Sequence, residues 1–157
     1  MVRAATEADL DHLAVVWHDA WHEGHDGLVP EELSRIRSLE NFRERLPLML
    51  PTVRVVGPEG RPVGLCQVKE DELHQLFVSG VARGGPVALA LTVDAEAEIR
   101  RNGFERGWLA CAIGNERAAR FYEKTGWVRT GIVTNQAITP TGQMPLEVWR
   151  YEKVLAD

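Results

Sequence analysis

Gly114-Asn115-Glu116-Arg117-Ala118-Ala119-Arg120-Phe121-Tyr122-Glu123-Lys124-Thr125-Gly126-Trp127 reads as one complete short helix with its own start and stop signals. Asn115 can cap the first turn, and Lys124 and Gly126 supply a cation and a stop at the far end. On a 3.6-residue period Asn115, Ala118 and Tyr122 fall at i, i+3 and i+7 and share one face. A helix that only covers a sheet more often places Leu or Ile there. An amide, a small side chain and a phenol, directly after an apolar run, form a face that can receive a ligand.

That run, Trp108-Leu109-Ala110-Cys111-Ala112-Ile113, is nearly continuous in apolar residues, as expected of a strand covered on both faces. Upstream, Val2–Ala5 reads as a short strand. Thr6 then caps a helix with Leu10, Leu13, Ala14, Trp17 and Trp21 at helical spacing. Gly24–Pro30 breaks it. A second helical stretch runs from Pro30 to about Leu46, in one or two pieces, and is closed by Pro47 and Pro51. Strands follow at Thr52–Val56, Pro62–Val68 and Glu72–Val78, the first two joined by the Gly57-Pro58-Glu59-Gly60 turn. The loop Gly80–Gly85 leads into a helix over Pro86–Asn102, with Gly103 as its stop. Two last strands are predicted at Val128–Ala137 and Leu146–Val154. The order predicts one α/β domain spanning residues 1–157, with a mixed sheet.

The formal charge of −5, with no basic run, argues against nucleic acid and against a membrane-surface tether. The N-terminus has no apolar leader, and no run is long enough to cross a bilayer. Cys66 and Cys111, each inside an apolar run, read as buried free thiols of a reducing cytoplasm; neither has a visible adjacent base.

Two strand-to-helix junctions carry the chemistry. At Val78-Ser79-Gly80-Val81-Ala82-Arg83-Gly84-Gly85 a helix N-terminus offers free backbone N–H groups, the glycines permit close approach, and Arg83 adds a fixed cation. That combination suits phosphate, although glycine-rich turns before helices are common. At Ile113-Gly114-Asn115 the chain enters the Asn115/Ala118/Tyr122 face.

With both junctions in place, the chain resembles the GNAT superfamily of acyl-CoA-dependent N-acyltransferases over essentially its whole length. Leu73–Gly84 is similar to that family's central strand and pyrophosphate loop. Asn115–Trp127 resembles its N-x-x-A-x-x-F-Y-x-x-x-G-F/W helix. Trp21…Gly27-Leu28-Val29-Pro30 and Trp149-Arg150-Tyr151-Glu152-Lys153 are also similar to members of the group. The resemblance implies a GNAT-like α/β fold. Its mixed, mostly antiparallel sheet would have six to seven strands and about four flanking helices, and would splay between two central parallel strands. It implies acetyl-CoA as acyl donor and no metal. The backbone of Leu76, Phe77 and Val78 would bind pantetheine; Arg83, Gly84, Gly85, Val87 and Ala88 would hold the pyrophosphate. Asn115 and Ala118 would face the cofactor arm, and Tyr122 would protonate the departing thiolate. The family loop usually reads R-G-x-G-x-G/A, but here Pro86 stands at a glycine position and removes one N–H donor.

For the base that takes the amine proton, Glu70, Glu72 and His74 share a face by two-residue alternation if the strand starts as early as Glu70. Glu72 is favoured over His74; a solvated turn at Asp71-Glu72, with water as base, is the alternative. His18, His22 and His25 lack the further ligands that zinc requires, and read as a polar helix face at the edge of the acceptor site. Trp17 reads as core, while Trp21 could wall the acceptor pocket. Glu23, Asp26, Glu31, Glu32, Asp71 and Glu72 are either solvated surface or an electronegative acceptor side that favours a cationic amine. Asn115 can equally be only a cap, and Tyr122 only packing. The expectation is direct acetyl transfer from acetyl-CoA to a primary amine, of a small molecule or a peptide. The alternative is a non-catalytic acyl-CoA-binding module on the same fold. A homodimer through the C-terminal strands stays open.

Overall fold

Apolar alternation between turn signals resolves into β1 (Val2–Ala4), α1 (Leu10–His25), α2 (Glu31–Ile36), α3 (Leu39–Met49), β2 (Val53–Val56), β3 (Gly64–Lys69) and β4 (Glu72–Val78). The chain continues through α4 (Val87–Arg101), β5 (Arg106–Ala112), α5 (Glu116–Lys124), β6 (Val128–Thr139) and β7 (Gly142–Val154). This computed structural model describes residues 1–155; residues 156–157 of the expected domain lie outside the described residues. The strands form one sheet in the order β1-β2-β3-β4-β5-β7-β6, and every neighbouring pair is antiparallel except β4–β5.

The two faces carry separate cores. Leu13, Trp17, Leu33, Phe42 and Leu46 of α1–α3 bury Val53, Val55 and Leu65 on one side. Leu91 and Ala95 of α4, with Ala119 and Tyr122 of α5, bury Cys66, Leu109, Cys111 and Tyr151 on the other. Both cysteines are free and buried. Asp9, fully buried, fastens the first strand to the β2–β3 turn. It accepts from the Arg3 guanidinium at 2.9 Å and from the N–H groups of Thr6 and Gly60, each at 2.8 Å.

Several boundaries differ from the sequence reading. There are five α-helices over the described residues rather than about four. The stretch after Pro30 breaks at Arg37 (ψ 60°), and Ser38 starts a new helix by accepting the Asn41 N–H at 3.1 Å. Pro47 does not close that helix, which runs on to Met49. One missing N–H near an exposed helix end is tolerated. Thr6 precedes a single 3-10 turn, and α1 begins only at Leu10. α4 starts at Val87, with Pro86 as the residue before it.

β4 holds an irregularity that positions everything else. Gln67 pairs with Gln75 and Val68 with Leu73, so His74 is an extra residue opposite a single step of β3. This is a β-bulge, which bends the bulged strand and re-aims its side chains. Leu73 and Leu76 consequently pack into the same core, three residues apart, which a regular strand forbids. The parallel ladder to β5 is limited to the pair Glu72↔Trp108, where the Trp108 N–H donates to the Asp71 carbonyl at 3.0 Å. Beyond that point the two strands part.

The C-terminal hairpin is longer than predicted: β6 reaches Thr139 and β7 begins at Gly142. From Glu147 back to Gly142, β7 pairs only with β6, because β5 ends opposite Val148. Pro145 sits in this free-edged part, where a strand tolerates a missing donor. Ala137, Met144 and Leu146 lean onto the α1–α3 core.

Candidate active site

Where β4 and β5 separate, the backbone groups between them lose their ladder partners, and a polar-walled slot opens. A cleft open to solvent occupies it. Glu72, Leu76 and Phe77 of β4 line this cleft, together with Asn115, Ala118 and Tyr122 of α5. The structure therefore brings the two expected catalytic groups into one cavity with four of the ten expected cofactor-binding residues. Val78, Arg83, Gly84, Gly85, Val87 and Ala88 do not line it; they follow at the end of β4 and the start of α4.

Tyr122 is 9% exposed, its ring set among Phe121, Trp127 and Tyr151. Burial, with a smaller contribution from Cys111, pushes the phenol's pKa well above its ordinary 10 and keeps it protonated. Cys111, a thiol in the same core, is pushed up to about 11 by burial. A thiolate released here would be made more basic by the same desolvation, which keeps it matched to the phenol.

Asn115 does cap its helix, with Oδ1 accepting the Ala118 N–H at 3.3 Å. Its amide nitrogen lies over Gly24 of α1, where a Cβ would stand 2.9 Å away. The cap role and the place on the cleft wall coexist.

At the α4 entrance Gly84 holds φ +83°, a conformation glycine favours. The N–H of Gly85 donates to Ala82 at 3.4 Å, so Val87 and Ala88 are the better placed of the expected donors. Arg83 forms an ion pair with Glu23 of α1, and Arg117 of α5 lies 3.7 Å from the same carboxylate. Glu23 thus joins the loop after β4 to the start of α5.

The base candidates separate cleanly. Glu70 lies in the β3–β4 turn at φ 54°, off the strand. Glu72 is largely buried, with a carboxylate oxygen 3.2 Å from His74 Nδ1, and both side chains line the cleft. Of the six acidic residues proposed to make the acceptor side electronegative, only Glu72 lines it. Asp26 pairs with His22, Glu31 with Arg35, and Asp71 accepts from Trp108 Nε1.

Three further residues line the cleft: His25, which the sequence reading places only on a polar helix face at the edge of the acceptor site, and Arg37 and Arg45, which it passes over. His25 stacks on Trp21 with Nδ1 2.7 Å from the Trp21 carbonyl. Desolvation lowers its pKa, so the ring is neutral, and the Nδ1–H donates, leaving Nε2 as an acceptor. Arg37 and Arg45 line the same cleft from the α2–α3 joint and from α3. No period or motif in the sequence relates these three positions. His18 and His22 form no metal centre: His22 faces Asp26 and the Arg37 carbonyl, and no group of three metal-binding side chains exists among the described residues. Nor is any described helix long and apolar enough to cross a membrane.

Comparison with known proteins agrees with this geometry. No curated protein matches the chain. Among solved structures, YjaB from Escherichia coli in its apo form is similar, with TM-score 0.74 and 22% identity over 98% of this chain and 97% of that one. YncA of Salmonella typhimurium, a putative acetyltransferase solved with its cofactor acetyl-CoA, gives 0.68 at 15% identity over 100% and 94%. A phosphinothricin acetyltransferase of Sinorhizobium meliloti in complex with acetyl-CoA gives 0.70 at 15% over 99% and 88%. At such identities these likenesses speak for the fold. Residues 14–127 match the acetyltransferase (GNAT) family, most of the chain's length, and the protein belongs to that family.

Proposed function

We propose that the protein is an N-acetyltransferase that moves the acetyl group of acetyl-CoA directly to a primary amine of a small molecule. One observation carries this reading: Glu72 and Tyr122 line a single cleft opened by the parting of β4 and β5. The unpaired edges of the two strands suit an amide-bearing pantetheine arm, and the first N–H groups of α4 suit its pyrophosphate.

Bound acetyl-CoA supplies a thioester carbonyl as electrophile. A β4 backbone N–H near Leu76 polarises the carbonyl oxygen. Glu72, directly or through water, takes the proton that the amine sheds as its nitrogen bonds to the carbonyl carbon. Tyr122 returns a proton to sulfur as the carbon–sulfur bond breaks. Proton transfers of this kind contribute roughly 10²–10⁴-fold each. Arg83, Gly84, Val87 and Ala88 hold the phosphates, with Gly85 a weaker donor because its N–H is already engaged.

The loop also favours a second reading, an acyl-CoA-binding module without turnover, since Pro86 and Gly85 together offer fewer donors than a glycine-rich loop would. Thiol release from acetyl-CoA over an amine panel, with mass detection of acetylated product, separates the two. Turnover on any amine sinks the module. Tight CoA binding with no turnover sinks the enzyme.

A further inference from the structure

Two guanidinium groups stand in the cleft without a counter-ion. Arg37 is 4% exposed, and its one side-chain bond is from Nη1 to the Asn41 side-chain oxygen at 3.1 Å. Arg45 is half-buried, lies 4.6 Å over the Trp17 ring, and has an Nη1 that is buried with no hydrogen-bond partner. Among the described residues no carboxylate comes within 4 Å of either, although most other arginines of the chain have one. Their charges are close enough to be felt by each other and by His25: burial and Arg37 together pull Arg45 down to about 10, and Arg37 helps to lower His25. Burying like charges side by side is unfavourable unless an anion completes the site. Packing on Trp17 and Phe42 offsets part of that cost for Arg45.

We infer that the acceptor is a small amine that also carries a carboxylate, which Arg37 and Arg45 receive on the α2–α3 wall of the cleft while the amine faces Glu72. This rests on the acetyltransferase reading and names its substrate class. A guanidinium offers paired N–H groups that match a carboxylate's two oxygens, and two such groups also balance their own repulsion when it binds. The acceptor is thereby selected by its acid group as well as by its amine. An electronegative pocket selecting for positive charge is the wrong picture of this wall.

The test is a set of matched acceptors: α- and ω-amino acids, their carboxamides, the corresponding decarboxylated amines, and a phosphorylated amine. Each is assayed for thiol release, and each is titrated calorimetrically into the protein saturated with CoA. Carboxylated amines should exceed their carboxamides roughly tenfold to a hundredfold in kcat/KM, as expected for charge-assisted bonds to buried guanidinium groups. Arg45→Met should erase that ratio mainly through KM. Arg37→Gln should do the same where its thermal melt shows that it folds. Equal use of acids and carboxamides overturns the proposal even if acetyl transfer is vigorous, and preference for the phosphorylated amine overturns the carboxylate assignment. Carboxylate binding that depends on Arg45 without any transfer keeps the anion site and discards the acetyltransferase reading.

Discussion

His25 lies flat on Trp21, with centroids 4.4 Å apart and planes within 2°, while its Nδ1 is bonded to the carbonyl of the same tryptophan. The imidazole is held in one orientation and one tautomer at the edge of the cleft. Burial sets its pKa below the ordinary 6.5. An unfolded chain takes up that proton as pH falls through 6.5, whereas the folded chain resists to a lower value. The folded state is therefore fully favoured above 6.5 and loses stability below it. Melting temperature should decline from pH 6.5 downward, and His25→Asn should flatten that limb. An unchanged limb in the variant would place the acid sensitivity elsewhere.

Tyr122→Phe removes a hydroxyl and leaves the ring packing. The expected result is a fall in kcat of roughly 10²-fold or more, with CoA affinity unchanged by calorimetry. Full turnover would take the phenol out of the mechanism. Glu72→Gln, measured alongside, should lower kcat with little change in CoA binding. If His25→Asn abolished turnover while Glu72→Gln did not, the neutral imidazole would be the base.

Much of this was legible because it is local. The α5 cap, the Gly126 stop and the Asn115/Ala118/Tyr122 face depend on residues within a few positions of one another, and the structure reproduces each of them. The bulge at His74 was not, since it exists only as a mismatch with β3. Glu70, at φ 54°, stays in the turn before β4, so the strand does not start early enough to include it. The Arg37–Arg45 wall was equally hidden: it requires the break between α2 and α3 and the reach of the long β6–β7 hairpin, both products of tertiary packing. Two of the acidic residues mislead for a related reason, as Glu23 and Asp71 find their partners in other elements.

Glu23 competes for the cations that phosphate would need. Glu23→Gln frees Arg83 and Arg117 while keeping the side chain's shape. A solvent-facing pair is worth up to about 1 kcal/mol, so CoA should bind up to roughly fivefold tighter, the gain shrinking at high salt. Weaker binding would show instead that Glu23 serves by holding Arg83 in place.

Gly114 is a second position where the backbone dictates the residue. It has φ +99°, and a Cβ there would lie 2.8 Å from Leu28 Cδ2. Gly114→Ala should destabilise the fold by about 1–3 kcal/mol, read by chemical denaturation. It would also push the α1–α2 connection off the start of α5. A neutral variant would mean that Leu28 yields without cost.

The extra residue in β4 has a consequence for how such a protein can change. Substitutions alter what the slot holds, but its opening is written as a count of residues rather than a choice among them. Removing one residue at His74 would restore even alternation, leave Leu73 and Leu76 two apart on the face they already share, and let β4 run on beside β5. The crack in the sheet is therefore a discrete character. Single-residue deletion can seal it in one step, while point mutation of its lining leaves it open.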